Sequence, residues 1–156
     1  MQPIEQAATA FLAKQRVAVT GVSRHPENHG SNLVYRRLRD RGYQVFAVNP
    51  NASVVEGDTS YRDVRSIPGG VDAVVIATRP EMALDTMREC ADLGIANVWM
   101  HRGPGPGSVS PEATDYGRQH GITVIDGGCP LMFEPTADLT HKLLRRMYAG
   151  AVPKEV

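Results

Sequence analysis

The sequence predicts an α/β fold, in which a doubly wound parallel sheet of five or six strands is flanked by helices. Short apolar runs alternate with amphipathic runs along the chain, as they do in consecutive βα units. Glycines such as Gly42, Gly94 and Gly121 follow the amphipathic runs, where a left-handed residue often ends a helix. Because crossovers between parallel strands are right-handed, this order predicts helices on both faces of the sheet.

The predicted elements follow from these runs. The strands are rich in β-branched residues and lie at Val17–Gly21, Gln44–Val48, Asp72–Thr78, Asn97–His101 and Thr123–Asp126. Val54–Gly57 is a candidate sixth strand at the sheet edge. The helices carry apolar residues at helical spacing and lie at Ile4–Lys14, Ser31–Arg41, Glu81–Leu93, Pro111–His120 and Thr136–Tyr148. We therefore expect one Rossmann-like domain over residues 1–156, with a frayed, flexible tail at residues 149–156.

Composition excludes several classes of partner. The 156 residues include 17 basic and 17 acidic side chains, and this zero net charge argues against a general nucleic-acid binder or a polybasic membrane binder. Cys90 and Cys129 are far apart and form no CxxC pattern, so free thiols in a cytoplasmic protein are expected. No apolar run approaches the ~20 residues that span a bilayer, and the first residues lack the pattern of a secretory signal.

The stretch after the first predicted strand has the features of an anion site. Gly21 ends the strand, where the backbone must turn sharply or let a ligand approach closely. A helix is predicted after Gly30, and Ser31 or Asn28 could cap its free amide groups. The first turn of such a helix favours negative charge. This stretch is therefore the candidate phosphate-binding loop.

Other strand ends should meet this loop. In open parallel sheets, ligands bind beyond the carboxyl ends of the strands, where the strand order reverses. Four segments are expected around one crevice, at Gly21–Ser31, Val48–Asn51, Ala77–Pro80 and His101–Gly107.

The residues around this crevice disfavour a dinucleotide. The loop has Gly21 but not the GxGxxG pattern, and the second strand is followed by Asn49 rather than a carboxylate for the ribose hydroxyls. The loop offers cations instead, with Arg24 beside His25 and with Arg79 after another strand. A ligand with a diphosphate and a separate phosphate monoester suits these donors.

Five segments taken together resemble the stand-alone CoA-binding domain family, which is similar in fold to the CoA-binding domain of the succinyl-CoA synthetase alpha subunit and of acyl-CoA synthetases. They are VAVTGVSRHPENHGSN, GYQVFAVNP, VDAVVIATRPE, ANVWMHRG and GITVIDGGCP. The resemblance runs in order from Arg16 to Pro130 and therefore covers most of the chain.

The resemblance implies coenzyme A as the ligand and implies three groups of contact residues. The pyrophosphate and adenosine end would be lined by Gly21, Val22, Ser23 and Arg24, with donors from Ser31 and Asn32. The adenine-ribose would be flanked by Val48, Asn49 and Pro50. The entry of the pantetheine arm would be bordered by Ala77, Thr78 and Arg79.

No catalytic or metal site is expected. Ser23 has no evident base, Cys129 has no evident partner for nucleophilic catalysis, and His25 and His29 lack further metal ligands. The synthetases also need a domain with a phosphorylated histidine and an ATP-grasp partner region, neither of which is recognisable in this chain. The sequence therefore predicts a protein that binds CoA or acyl-CoA and is not itself an enzyme.

Two other functions stay open. The chain could be the CoA-site subunit of a split acyl-CoA ligase or transferase whose partner is a separate protein. An NAD(P)-dependent oxidoreductase is the third possibility, which the missing glycines and carboxylate disfavour. The amphipathic terminal helices could pack on the sheet or against another copy, so a homo-oligomer is also open.

Overall fold

The computed structural model describes residues 1–156, apart from the side chain of Asn28. One sheet contains seven strands, which in chain order are β1 (Arg16–Thr20), β2 (Gln44–Val48), β3 (Val54–Val55), β4 (Asp58–Tyr61), β5 (Ala73–Ile76), β6 (Asn97–Met100) and β7 (Thr123–Asp126). Their order across the sheet is β3-β4-β2-β1-β5-β6-β7. All neighbours are parallel except β3 and β4, which are antiparallel.

The described residues also form five α-helices. They are α1 (Ile4–Leu12), α2 (Gly30–Asp40), α3 (Pro80–Asp92), α4 (Pro111–Gln119) and α5 (Leu139–Met147). None of them combines the length and the apolar character needed to cross a membrane.

Helices cover both faces of the sheet, as the doubly wound prediction requires. On one face α1 and α2 pack over a core in which the Trp99 ring meets the rings of Phe11 and Phe133 edge to face, each at 5.4 Å between centroids. On the other face α3 and α4 pack over a second core that includes Met87 and Val124. The predicted fold class is confirmed.

The sheet has one strand more than the predicted maximum of six, because β3 and β4 form an edge hairpin. Glu56 and Gly57 connect these strands with φ of 51° and 78°, the two positive values of a type I′ turn. The candidate strand Val54–Gly57 is therefore a strand only at Val54–Val55, and its last two residues are the turn. Strand β4 was not predicted because its sequence, DTSY, is short and mostly polar.

Helix α5 begins three residues later than the predicted Thr136. Asp138 is the residue that caps it, and its carboxylate accepts from the backbone N–H of His141 at 2.7 Å. The Thr136 hydroxyl instead donates to the carbonyl of Pro130 at 2.7 Å. The helix buries no residue fully and leaves a stripe of Leu139, Leu143 and Met147 exposed. Association of this stripe with another copy stays a prediction.

The last residues run beside the start of the chain, where a frayed tail was expected. Pro3 and Glu155 form an antiparallel bridge. Gln2 and Val156 exchange two backbone hydrogen bonds, with N–O distances of 2.9 and 3.0 Å. Backbone pairing with the N-terminal segment supplies partners that the sequence pattern of the tail does not reveal.

Candidate functional site

Gly21 is the point at which the ends of three strands meet. Its φ is +75°, and a Cβ at this position would lie 2.6 Å from the carbonyl oxygen of Ala77, which follows β5. The Gly21 N–H donates to the carbonyl of Val48, the last residue of β2, at 3.0 Å. Only glycine adopts this φ at no steric cost and also permits the close approach. The predicted grouping of the segments after β1, β2 and β5 is therefore present in the structure.

Asn32 fixes the conformation of the loop that follows Gly21. Its Oδ1 accepts from the Ser23 N–H at 2.8 Å, and its Nδ2 donates to the Ser23 carbonyl at 2.9 Å. The neighbouring Ser31 hydroxyl donates to the Gly21 carbonyl at 2.8 Å. Both side chains are buried and belong to the first turn of α2. The helix start therefore determines the shape of the loop.

Glu56 supports Asn32 from the edge hairpin. The Asn32 Nδ2 donates to Glu56 Oε1 at 2.9 Å, and the Arg36 guanidinium pairs with the same oxygen at 2.9 Å. Glu56 and Arg36 were not among the predicted site residues. The available signal was a Glu-Gly pair directly after the β-branched residues Val54 and Val55, a less common form of the Asn-Gly or Asp-Gly hairpin turn.

Asn49 ties the end of β2 to the loop. Its Nδ2 donates to the Val22 carbonyl at 2.9 Å, and its Oδ1 accepts from the Asn51 N–H at 2.8 Å. The Asn49 backbone N–H donates to the carbonyl of Tyr61 at 2.8 Å. The Asn49 amide is therefore already engaged in holding the loop against the end of β2.

The twelve residues expected at the site differ in exposure. Four have buried side chains, namely Val22, Ser31, Asn32 and Val48. Gly21 and four others are partly exposed, namely Ser23, Asn49, Ala77 and Thr78. The most exposed are Arg24, Pro50 and Arg79. The buried Ser31 and Asn32 side chains hold the loop backbone, so a ligand at the candidate site would meet the backbone and the more exposed side chains.

The cations at the crevice are unpaired. Neither Arg24 nor Arg79 forms an ion pair with any residue that the structure describes. Arg24 follows β1 by four residues, and Arg79 immediately precedes α3. These exposed guanidinium groups are available for bidentate contacts to phosphate.

Thr78 carries a buried hydroxyl without a hydrogen-bond partner among the described residues. Its methyl carbon Cγ2 would lie 3.2 Å from a Cβ on Gly21, which places the residue beside the loop. An unpartnered buried hydroxyl costs about 1–3 kcal/mol. A ligand atom that reached it would therefore gain a hydrogen bond at little desolvation cost to the protein.

The start of α2 differs from the predicted capping. The helix begins at Gly30, with His29 at the cap position, and the His29 side chain makes no hydrogen bond to the helix. Ser31 lies inside the first turn and binds Gly21, so the expected cap by Ser31 is wrong. The alternative, Asn28, has its side chain outside the described part of the chain. The amide groups of this first turn provide the positive end of the helix dipole.

The cysteines and His101 are in buried surroundings. Burial raises the pKa of Cys90 and of Cys129 to about 12, so both are neutral thiols at physiological pH. Burial, with a smaller effect of His141, lowers the pKa of His101 to about 4. No group of three His, Cys, Asp or Glu side chains with metal-binding geometry occurs within the described residues.

Residues 15–135 match the CoA binding domain family, a span that includes all four segments expected around the crevice. The chain belongs to this family. The resemblance inferred from the five sequence segments is therefore confirmed.

Relatives of this CoA-binding domain include parts of larger enzymes. The alpha subunit of an ADP-forming acetate–CoA ligase II from Pyrococcus furiosus is 26% identical over 149 residues, which are 91% of this chain and 32% of that subunit. The chain thus spans about a third of that relative's length. The uncharacterized protein YneT from Bacillus subtilis is 28% identical over 115 residues, 74% of this chain and 82% of YneT.

A solved structure has the same fold as this CoA-binding domain. It is a hypothetical protein from Pyrococcus horikoshii, with a TM-score of 0.69 and 23% identity. The likeness covers 80% of this chain and 87% of that one.

Proposed function

We propose that this domain binds coenzyme A, free or acylated, at the carboxyl edge of its sheet. The observation that carries the proposal is the loop at residues 21–24, held in one shape by Ser31 and Asn32 inside the span that matches the family. A loop fixed in this way binds a ligand with little ordering cost. The first turn of α2 and the segments after β2 and β5 complete the proposed site.

The charges at the loop suit the phosphates of CoA. The pyrophosphate would lie at the start of α2, where backbone N–H groups and the helix dipole favour negative charge. Arg24 is exposed and free of acidic partners within the described structure, so it is the proposed donor to the 3′-phosphate. Arg79 and the Thr78 hydroxyl would border the path of the pantetheine arm.

The end of β2 favours CoA over NAD as the nucleotide. NAD-binding domains hold the ribose hydroxyls with a carboxylate at this point. Here Asn49 follows the strand, and its amide already makes hydrogen bonds to Val22 and Asn51. A CoA ribose carries a 3′-phosphate, for which a carboxylate at this point would be repulsive.

Calorimetric titration with CoA, dephospho-CoA, NAD and NADP tests the proposal. We expect saturable binding of CoA, weaker binding of dephospho-CoA, and at least about tenfold weaker binding of both dinucleotides, which corresponds to about 1.4 kcal/mol. Absence of CoA binding, or equal binding of NAD, would overturn it.

We infer no catalytic step within this domain. Cys129 is a buried neutral thiol, and the Ser23 hydroxyl accepts a hydrogen bond from the His25 N–H without any base beside it among the described residues. Free buried cysteines are typical of a reducing compartment, which supports the proposed cytoplasmic location.

A second candidate function is the CoA site of a split acyl-CoA ligase. The observation that favours it is the match to about a third of an acetate–CoA ligase alpha subunit. An ATP-binding partner would then supply the chemistry. Formation of acyl-CoA from acetate, ATP and CoA only when a candidate partner is added would support this function. Inactivity of the CoA-loaded domain with every such partner would contradict it.

A further inference from the structure

A small cavity, here called the α2–α5 pocket, opens beside the proposed CoA loop. Its volume is about 150 Å³. Its apolar lining comes from α2, from the turn at Pro130–Met132 and from α5, and consists mainly of Leu33, Val34, Leu131, Met132 and Leu144. None of these side chains belongs to the residues proposed to contact CoA.

The pocket and the loop share the first turn of α2. Gly30 lines the pocket, while the next residue, Ser31, holds the Gly21 carbonyl. A Cβ on Gly30 would lie 3.4 Å from Cε1 of His101, so the helix start and the end of β6 approach closely here. The His101 N–H donates to the Ile76 carbonyl at 2.9 Å, so the end of β5, past which the pantetheine arm is proposed to run, adjoins the His101 side of the pocket.

The lining is almost free of charge. No lysine or arginine lines the pocket in the described structure, and its polar side chains are His101 and His141. The His141 Nδ1 lies 2.9 Å from the Asp138 carboxylate, which the Arg37 guanidinium also binds at 2.8 Å. Burial keeps the pKa of His101 near 4, so that ring is neutral at physiological pH. His141 is already paired with Asp138, so a carboxylate inside the pocket would find no unpaired cation among the described lining residues.

The size of the pocket limits what it accepts. A cavity of about 150 Å³ lined by aliphatic side chains is large enough for a group the size of benzene. A chain of a few methylene groups fits this limit, whereas a long fatty acyl chain does not. The apolar lining, and the lack of an unpaired cation among the described lining residues, together favour a short, uncharged group.

We propose that the α2–α5 pocket takes the acyl group of a short, uncharged acyl-CoA thioester, so that the domain binds such a thioester more tightly than CoA. This inference rests on the proposed binding of CoA at the loop. It adds that the preferred ligand is acylated, and that the acyl group carries no terminal carboxylate.

Calorimetric titration of the full chain with CoA, butyryl-CoA, succinyl-CoA and dodecanoyl-CoA tests the inference. We expect butyryl-CoA to bind at least about tenfold more tightly than CoA, since each buried methylene favours binding several-fold. Succinyl-CoA and dodecanoyl-CoA should bind no more tightly than CoA.

A matched pair of variants on α5 tests the location. Leu144→Phe adds volume inside the pocket, while Leu143→Phe makes the same change at an exposed neighbour outside it. Leu144→Phe should remove the preference for butyryl-CoA and leave CoA affinity unchanged, and Leu143→Phe should change neither. If Leu144→Phe fails to fold, Leu144→Ala enlarges the pocket and should shift the preference from butyryl-CoA to hexanoyl-CoA.

The outcomes separate the two proposals. Binding of CoA and butyryl-CoA with equal affinity would overturn the acyl pocket and leave CoA binding intact. A Leu144→Phe variant that folds and keeps the butyryl preference would also overturn the pocket. If neither CoA nor butyryl-CoA binds, the proposed function itself is overturned.

Discussion

Asn32 binds both backbone polar groups of Ser23, accepting from its N–H at 2.8 Å and donating to its carbonyl at 2.9 Å. The Asn32 side chain is fully buried, so water does not compete for these bonds. One amide thus holds a loop that is nine residues away in sequence. Preorganisation of this kind lowers the free energy that a ligand must supply to order its site.

Substitution Asn32→Asp should distort the loop although the two side chains have nearly the same volume. A carboxylate oxygen would replace the Nδ2 that faces both the Ser23 carbonyl and Glu56. We expect CoA affinity to fall at least tenfold and the free energy of unfolding to fall by about 3 kcal/mol or more, because the new buried carboxylate faces a carbonyl oxygen and a second carboxylate. Titration calorimetry and urea unfolding measure these effects. Asn97→Asp, at the amino end of β6, is the control, and unchanged CoA binding by Asn32→Asp would contradict the assigned role.

Gly21→Ala should destabilise the fold more than replacement by alanine of another glycine with a similar φ. Gly94 has φ of +71°, close to the +75° of Gly21, but a Cβ on Gly94 would meet nothing within 4 Å. Gly94→Ala therefore measures the left-handed penalty alone, about 1 kcal/mol. We expect Gly21→Ala to lose a further 1–3 kcal/mol or so, because its Cβ meets the Ala77 carbonyl. Equal losses in urea unfolding would show that the strand ends can move apart.

Glu56 variants should separate stability from ligand binding. The residue has φ of +51°, which is unfavourable for any residue with a Cβ, and its carboxylate accepts from Asn32 and Arg36. Glu56→Gly removes the strain and the contacts together, so we expect little loss of stability but severalfold weaker CoA binding. Glu56→Gln keeps an acceptor oxygen and should retain most of the affinity. Wild-type affinity in Glu56→Gly would mean that Asn32 needs no support from the hairpin.

Arg24→Ala tests which phosphate the arginine meets. If it binds the 3′-phosphate, affinity for CoA should fall about tenfold while affinity for dephospho-CoA stays unchanged. Equal losses for the two ligands would assign Arg24 to the pyrophosphate instead. Arg88→Ala removes an exposed arginine from α3 and serves as the control in the same calorimetric titrations.

His101 should make stability depend on pH. Burial lowers its pKa to about 4 in the folded protein, while an unfolded chain has a histidine pKa of about 6.5. Between these values the unfolded chain binds a proton that the folded protein does not. The free energy of unfolding should therefore fall as pH decreases from 6.5 to 4, by as much as about 3 kcal/mol.

The variant His101→Gln should flatten that part of the stability profile, whereas His120→Gln, at an exposed histidine, should leave it unchanged. Urea unfolding at a series of pH values measures both. A profile that stays steep in His101→Gln would assign the dependence to other groups.

The sequence predicted those parts of the fold that a hydrophobic pattern specifies. The apolar strands β2 and β7 have the predicted bounds, and the other predicted strands differ at their ends by one to two residues. Strand β4 has no such pattern, because its neighbours and the Glu56-Gly57 turn determine its place at the edge. Helix α5 was predicted to start at Thr136, but the Thr136 hydroxyl binds the Pro130 carbonyl and Asp138 caps the helix, which begins at Leu139.

The sequence allowed the location of the candidate site to be predicted, but not the side-chain contacts within it. Strand order alone brings the segments after β1, β2, β5 and β6 to one edge. Sequence spacing could not reveal that the buried Asn32 and Ser31 side chains bind the loop backbone. The part played by Glu56 depends on a turn with an uncommon residue at positive φ.

The contact between Glu56 and Asn32 links the outermost strands of the sheet to the ligand loop. Opening of the β3–β4 hairpin would withdraw Glu56 and leave the Asn32 amide with fewer partners. By thermodynamic linkage, a ligand that favours the ordered loop must then also favour the closed hairpin. The β3–β4 edge of the sheet contributes no residue to the proposed site, yet its amide hydrogen exchange would become slower when a ligand is bound there.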